Sequence, residues 1–200
     1  MKASAKKRTK AAARIIVCIG VPGAGKSTFV RRYCERMGGV YVISTDEIRK
    51  ELTGTCVCDP SMNKKVHDEA VHRAKELLEG YCDGTVNPCA GLGLEIIIDA
   101  TNATTDDWVA YQSLQPGFLF AWLFDIDPEI AWFRIQKRGG YQAETLTKEV
   151  VMEKHKSIHD SFDKMREIFD LVFNQPTGVL NERPTNGFGP PPQYDGLKQI

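Results

Sequence analysis

Between a five-residue run of apolar residues, Ile15 to Ile19, and an amphipathic stretch that begins at Ser27 lies Gly20-Val-Pro-Gly-Ala-Gly25-Lys26-Ser27. No other feature of the chain limits its folding options so narrowly. Glycines at 20, 23 and 25 let the backbone turn with N–H groups pointing inward, and the amino terminus of a following helix adds donors, so the segment predicts a concave anion site between strand and helix. The Lys-Ser pair gives that site its chemistry. In the GxxxxGK[ST] arrangement the lysine reaches the β- and γ-phosphates of a nucleoside triphosphate and the hydroxyl ligates Mg²⁺. The donor side is therefore expected to comprise Gly20, Pro22, Gly23, Ala24, Gly25, Lys26, Ser27 and Thr28, with ATP as the nucleotide and Mg²⁺ on Ser27.

The rest of the chain repeats the alternation of short apolar runs and longer amphipathic stretches that builds a mainly parallel sheet. Ile15–Ile19, Val40–Ile43, Ile96–Ile98, Phe118–Phe124 and Leu171–Phe173 read as strands. Because they are apolar on both faces, helices are expected on both sides of the sheet. Helical periodicity appears over Ser27–Met37, Met62–Leu78, Glu129–Arg138 and Thr147–Phe169. The fold class predicted is α/β: a doubly wound, five-stranded P-loop NTPase sheet with a helical lid.

With 200 residues, 42% hydrophobic and 26% charged, the chain suits one domain of catalytic size. No apolar run approaches the roughly 20 residues of a membrane span, so no membrane partner is expected. The six cysteines include no CxxC pair and read as reduced thiols of a cytoplasmic protein. Cys56 and Cys58 lack the accompanying ligands of a zinc site. The formal charge is zero, but residues 1–14 hold six bases and no acid, leaving the remainder with an excess of six acids. Residues 1–13 read as a basic flexible leader, either solvated or resting on a nucleic-acid backbone. Residues 14–175 form the catalytic domain, and the Pro/Gly-rich 176–200 a flexible tail.

Three groups of residues fall at strand ends or above the loop. Ser-Thr-Asp46-Glu-Ile-Arg49 leaves the second strand at the sheet edge where open α/β folds bind ligands. Asp46 and Arg49 share one helical face, where the carboxylate can take a hydroxyl proton and the guanidinium can hold a phosphate. Ser44-x-x-Glu47 is also a capping box, which would make Asp46 a mere complement to a helix terminus. Asp99 ends the third strand and suits Mg²⁺ or the acceptor, or else caps the helix that starts near Thr104. Arg134 and Arg138, four apart before Gly139-Gly140, suit a lid over the donor phosphates or a solvated face. Neither His67/His72 nor His155/His159 comes with a third ligand at fixed spacing, so neither pair is read as a metal site.

GVPGAGKST, STDEIRKE, IIIDATN and RIQKRGG, in this order and at these intervals, resemble the kinase domain of phage-type polynucleotide 5′-hydroxyl kinases over residues 14–175. The resemblance implies ATP- and Mg²⁺-dependent phosphorylation of 5′-hydroxyl DNA or RNA ends, in a host cytoplasm if the chain is phage-encoded. It implies Asp46 as general base, Arg49 on the acceptor's adjacent phosphate, and Asp99 with Thr101 and Asn102 on the acceptor side. Lys26 and Arg138 would neutralise the transferring group. The chain departs from the family where Gly140-Tyr-Gln-Ala-Glu follows the lid arginine and where Asp106 and Asp107 replace an arginine after Asp-x-Thr-Asn. Phe124-Asp125-Ile-Asp127-Pro128 lacks the Gly-Thr of a DxDGT phosphatase, so no 3′-phosphatase activity is expected. Two other readings share the loop: a kinase of a small hydroxyl compound or aminoacyl-tRNA, and a nucleotide-gated binding module.

Overall fold

The five apolar runs become the five strands of a single sheet. A computed structural model describes residues 13–57, 59–87 and 93–175, with the strands β1 (Arg14–Ile19), β2 (Tyr41–Ser44), β3 (Glu95–Asp99), β4 (Phe118–Leu123) and β5 (Leu171–Asn174). They lie in the order β2-β3-β1-β4-β5, and every neighbouring pair is parallel. The basic leader apart from Ala13, the Pro/Gly-rich tail and Cys58 lie outside the described residues.

The strand order follows from hydrophobicity. β1 and β3 are almost wholly inaccessible, as a strand flanked on both edges and covered on both faces must be. The edge strands expose Val42 and Leu171. Register aligns Ile15 with Ile96 and Leu119, so branched side chains stack across the centre of the sheet. Each fully buried residue of this kind contributes about 1.5–3 kcal/mol.

Helices α1 (Lys26–Met37), α2 (Thr45–Thr53), α3 (Pro60–Asp83), α4 (Thr105–Gln112), α5 (Pro128–Arg138), α6 (Tyr141–Thr145), α7 (Lys148–Asp160) and α8 (Phe162–Ile168) surround the sheet. Phe29 and Tyr33 of α1 meet Trp122 of β4 edge to face, with ring centres 5.1 and 4.8 Å apart. Local signals set the boundaries. Asp59 caps α3 with Pro60 in its first turn, and Gly84 at φ 88° ends it, which extends the helix beyond the periodic stretch at both ends. The single helix expected over 147–169 is instead two. At Ser161 the N–H turns back to Ile158 O, 3.3 Å away, and the tightened turn redirects the chain so that Phe169 meets Trp108, 5.9 Å between ring centres.

At Gly23 the phosphate loop is packed against α5. Its φ is 82°, and a Cβ there would stand 2.5 Å from Ala131 O and 3.0 Å from Ile135. Gly23→Ala is expected to cost about 2 kcal/mol or more, from backbone strain and overpacking. Thermal unfolding should show this as a midpoint lowered by about 4–8 °C.

Candidate active site

The loop's donors come first. Helix α1 begins at Lys26 directly after Gly25, at φ 96°, and no side chain caps it, whereas Ser44, Asp59, Thr104, Asp127 and Thr147 cap α2, α3, α4, α5 and α7. The first N–H groups of α1 have no intrahelical acceptor, as in any α-helix, and here they face the concavity of the glycine loop. Lys26 is buried, and its ammonium donates to Gly20 O at 2.8 Å and Val21 O at 3.0 Å, folding back over its own loop.

The end of β3 supplies the counter-charge. The Ser27 hydroxyl and the Lys26 ammonium both lie near enough to the Asp99 carboxylate to favour its charged form. Burial raises the Asp99 carboxyl above the usual carboxylate range; the Ser27 hydroxyl and Lys26 pull it back down, while Asp46 and Glu47 push it further up. Burial likewise holds Lys26 below the usual lysine range, against the upward pull of Asp99, Cys18 and Asp46. Burial first, and then Asp99, raise the Cys18 thiol well above its ordinary value, so this core cysteine stays protonated. A hydroxyl and a carboxylate near one another beside a buried lysine are an oxygen donor set that fits Mg²⁺.

Asp46 and Arg49 meet as their spacing requires. Arg49 Nη1 donates to Asp46 Oδ1 at 2.7 Å, with the arginine buried and the carboxylate half-exposed. The cap of α2 is Ser44, whose hydroxyl accepts from Glu47 N at 3.4 Å, and Asp46 lies in the first turn, where its charge also complements the helix terminus. Arg49 Nη2 reaches Asn63 Oδ1 of α3 only at 3.5 Å, and its buried Nε has no hydrogen-bond partner. Asp99 does not cap α4. Thr104 and Asp107 do so through a reciprocal capping box.

Thr101 and Asn102 stand beneath the phosphate loop. Gly20 N donates to Thr101 O at 3.1 Å, and Asn102 Nδ2 donates to Cys18 O at 2.8 Å. Asn102 is 1% exposed with φ 45°, its carbonyl accepts from Trp108 Nε1 at 2.8 Å, and its Oδ1 has no hydrogen-bond partner. Arg134 and Arg138 lie on α5, the helix whose Ala131 and Ile135 press on Gly23, each three residues beyond one of those contacts. Arg138 is exposed and donates to Gln142 of α6 across Gly139 and Gly140, both at positive φ.

The family model described as "AAA domain" matches residues 15–165, most of the described chain. The chain belongs to the AAA domain family. No curated protein matches this AAA domain in sequence. Among solved structures it is similar to a chain of the Pnkp1/Rnl/Hen1 RNA repair complex, 21% identical with a TM-score of 0.60 over 80% of this chain and 49% of that one. The AAA domain thus spans about half the length of that relative. It is also similar to a gluconokinase from Sinorhizobium meliloti 1021, 16% identical with a TM-score of 0.50 over 82% of this chain and 85% of that one. The fold is that of P-loop kinases. Among the described residues no helix is long and apolar enough to cross a membrane.

Sequence reasoning missed Lys154. The charge of this residue of α7 reaches the Lys26 ammonium and contributes to lowering it, after burial, so a second cation acts on the glycine loop's lysine. The available signal was a half-buried lysine set between Val151 and Ile158 on the buried stripe of an amphipathic helix.

Asn102 provides a direct check on the support beneath the loop. Asn102→Ala is expected to lower unfolding stability by about 2–3 kcal/mol, through the orphaned Cys18 carbonyl and a left-handed backbone. Asn102→Gly keeps that backbone accessible and should cost less; urea titration of both variants measures the order.

Proposed function

We propose that this AAA domain is an ATP- and Mg²⁺-dependent kinase that transfers the γ-phosphoryl group to the 5′-hydroxyl of DNA or RNA. The observation that carries the reading is Arg49, a buried guanidinium clamped to Asp46 by one nitrogen while Nε has no partner and Nη2 is only loosely held. A base held beside unspent cationic donors suits a hydroxyl whose neighbour is a phosphate. The similarity of the fold to a chain of an RNA repair complex supports a nucleic-acid acceptor.

Each residue then has a task. Lys26 exchanges its two loop carbonyls for the β- and γ-phosphate oxygens, and the free N–H groups at the start of α1 hold the same anion. Ser27 and Asp99 would hold Mg²⁺, which would supply neutralisation of the phosphate oxygens. Asp46 accepts the acceptor's hydroxyl proton as the oxygen bonds to phosphorus and the bond to the departing ADP oxygen breaks. Arg49 orients Asp46 and fixes the acceptor's phosphate. Arg134 and Arg138 close from the rim on the glycine pair at 139–140, adding positive charge to the transition state. Alignment and charge are most of what phosphoryl transfer requires of a protein.

One observation favours a second reading, a small hydroxyl-bearing acceptor. Asp106 and Asp107 open α4 just beyond the acceptor-side segment, and Asp107 faces His67 at 3.3 Å, so this edge is not uniformly basic.

The test is transfer of labelled γ-phosphate from ATP with Mg²⁺ to 5′-hydroxyl oligonucleotides, beside 5′-phosphorylated controls. Label is expected on hydroxyl ends alone, and Asp46→Asn should lower kcat by about 10²–10⁴-fold, the scale of a lost general base. Label on neither oligonucleotide while ATP is hydrolysed or passed to a polyol would overturn the nucleic-acid acceptor.

A further inference from the structure

We propose that Asp125, His155 and His159 form a binding site for a divalent transition-metal ion of the zinc class, which clamps α7 to the carboxyl end of β4. Asp125 lies two residues beyond the end of β4, and the two histidines are one turn apart on α7 with ring centres 4.4 Å apart. Both present the same nitrogen to the same oxygen: His159 Nε2 stands 3.0 Å and His155 Nε2 3.6 Å from Asp125 Oδ1. One donor atom from each residue lies within 4.8 Å of the other two.

These separations are those of ligands around an ion. Two donors each about 2.1 Å from a zinc ion at a tetrahedral angle stand about 3.4 Å apart, between the two measured distances. A hydrogen bond accounts for the 3.0 Å contact, and the second imidazole, at ion-pair distance, completes a set of two nitrogens converging on one oxygen. The donor set also chooses the ion. Two imidazoles and one carboxylate suit zinc, nickel or cobalt and are poor partners for Mg²⁺, so this position is chemically separate from Ser27 and Asp99. With three protein ligands, and His155 about a quarter exposed, the remaining coordination positions face water.

The site has mechanical leverage. Phe124, the residue before Asp125, bonds through its N–H to Ile19 O at 2.8 Å and lies close against Gly20 of the phosphate loop. Lys154, which acts on Lys26, is the residue before His155. An ion here ties the helix carrying Lys154 to the strand that backs the phosphate loop. The sequence hid this because the third ligand is 30 positions upstream of the nearer histidine, on another element. The inference does not rest on the kinase reading.

The test is titration of untagged, nucleotide-free full-length protein with Zn²⁺ by calorimetry and with Co²⁺ by visible absorption. Expected are one saturable site, cobalt d–d bands without a thiolate charge-transfer band, and a thermal midpoint raised by about 5–10 °C at hundredfold excess over Kd. His155→Gln and His159→Gln should each weaken binding by at least about tenfold. In long-range imidazole NMR spectra of the unaltered protein, the His155 and His159 resonances should move on zinc addition while His72 stays in place. Absence of saturable binding, affinity unchanged in both variants, or a cobalt spectrum of thiolate type would each overturn the proposal.

Discussion

The structure turns on the junction between β1 with its phosphate loop and the segment that leaves β3. Two hydrogen bonds make it, Gly20 N to Thr101 O and Asn102 Nδ2 to Cys18 O, and the Ser27 hydroxyl lies near the Asp99 carboxylate beside them. They link residues about 80 positions apart, and only parallel pairing of the two central strands brings them together. A glycine-rich loop would otherwise be free to collapse, because it has few side chains of its own to pack. Ala131 and Ile135 press on it from one side and Asn102 supports it from beneath, so the anion site is shaped before any ligand arrives. Preorganised donors of this kind need little reorganisation when charge develops.

The same junction sets the electrostatics. Burial works against the charges of both Lys26 and Asp99, moving the carboxyl up and the ammonium down, and each restrains the other's shift. Their mutual attraction, the Ser27 hydroxyl and the loop carbonyls that accept from Lys26 make two buried charges tolerable in one place. The apolar strands beneath supply the low polarity that makes these interactions strong. Core and site are thus one construction, with the sheet's carboxyl edge as the boundary.

Much of this was legible in the chain because it depends on local pattern. Five apolar runs announced five strands, and the glycine-lysine-serine spacing located the loop and its helix. Asp46 and Arg49 could be paired from a three-residue separation on one helix, and their contact at 2.7 Å follows from that geometry alone. What escaped was non-local. Asn102 offered only a polar side chain after an Asp-x-Thr motif, and nothing nearby in sequence indicates that its amide bonds to β1. The break at Ser161 falls inside an unbroken apolar stripe, so periodicity could not reveal it. Lys154 and the Asp125–His155–His159 cluster depend on α7 lying across the end of β4, a tertiary fact.

The role given to Arg49 separates a phosphate-bearing acceptor from a neutral one, and one comparison tests it most directly. Phosphoryl transfer from ATP would be measured to a nucleoside 3′-monophosphate and to the same nucleoside without its phosphate, with the unaltered protein and with Arg49→Ala. The account predicts a kcat/KM about 10–100-fold higher for the monophosphate, the scale of a charge-assisted hydrogen bond, and collapse of that preference in the variant. Equal rates for the two acceptors, or a preference that survives the loss of Arg49, would contradict it.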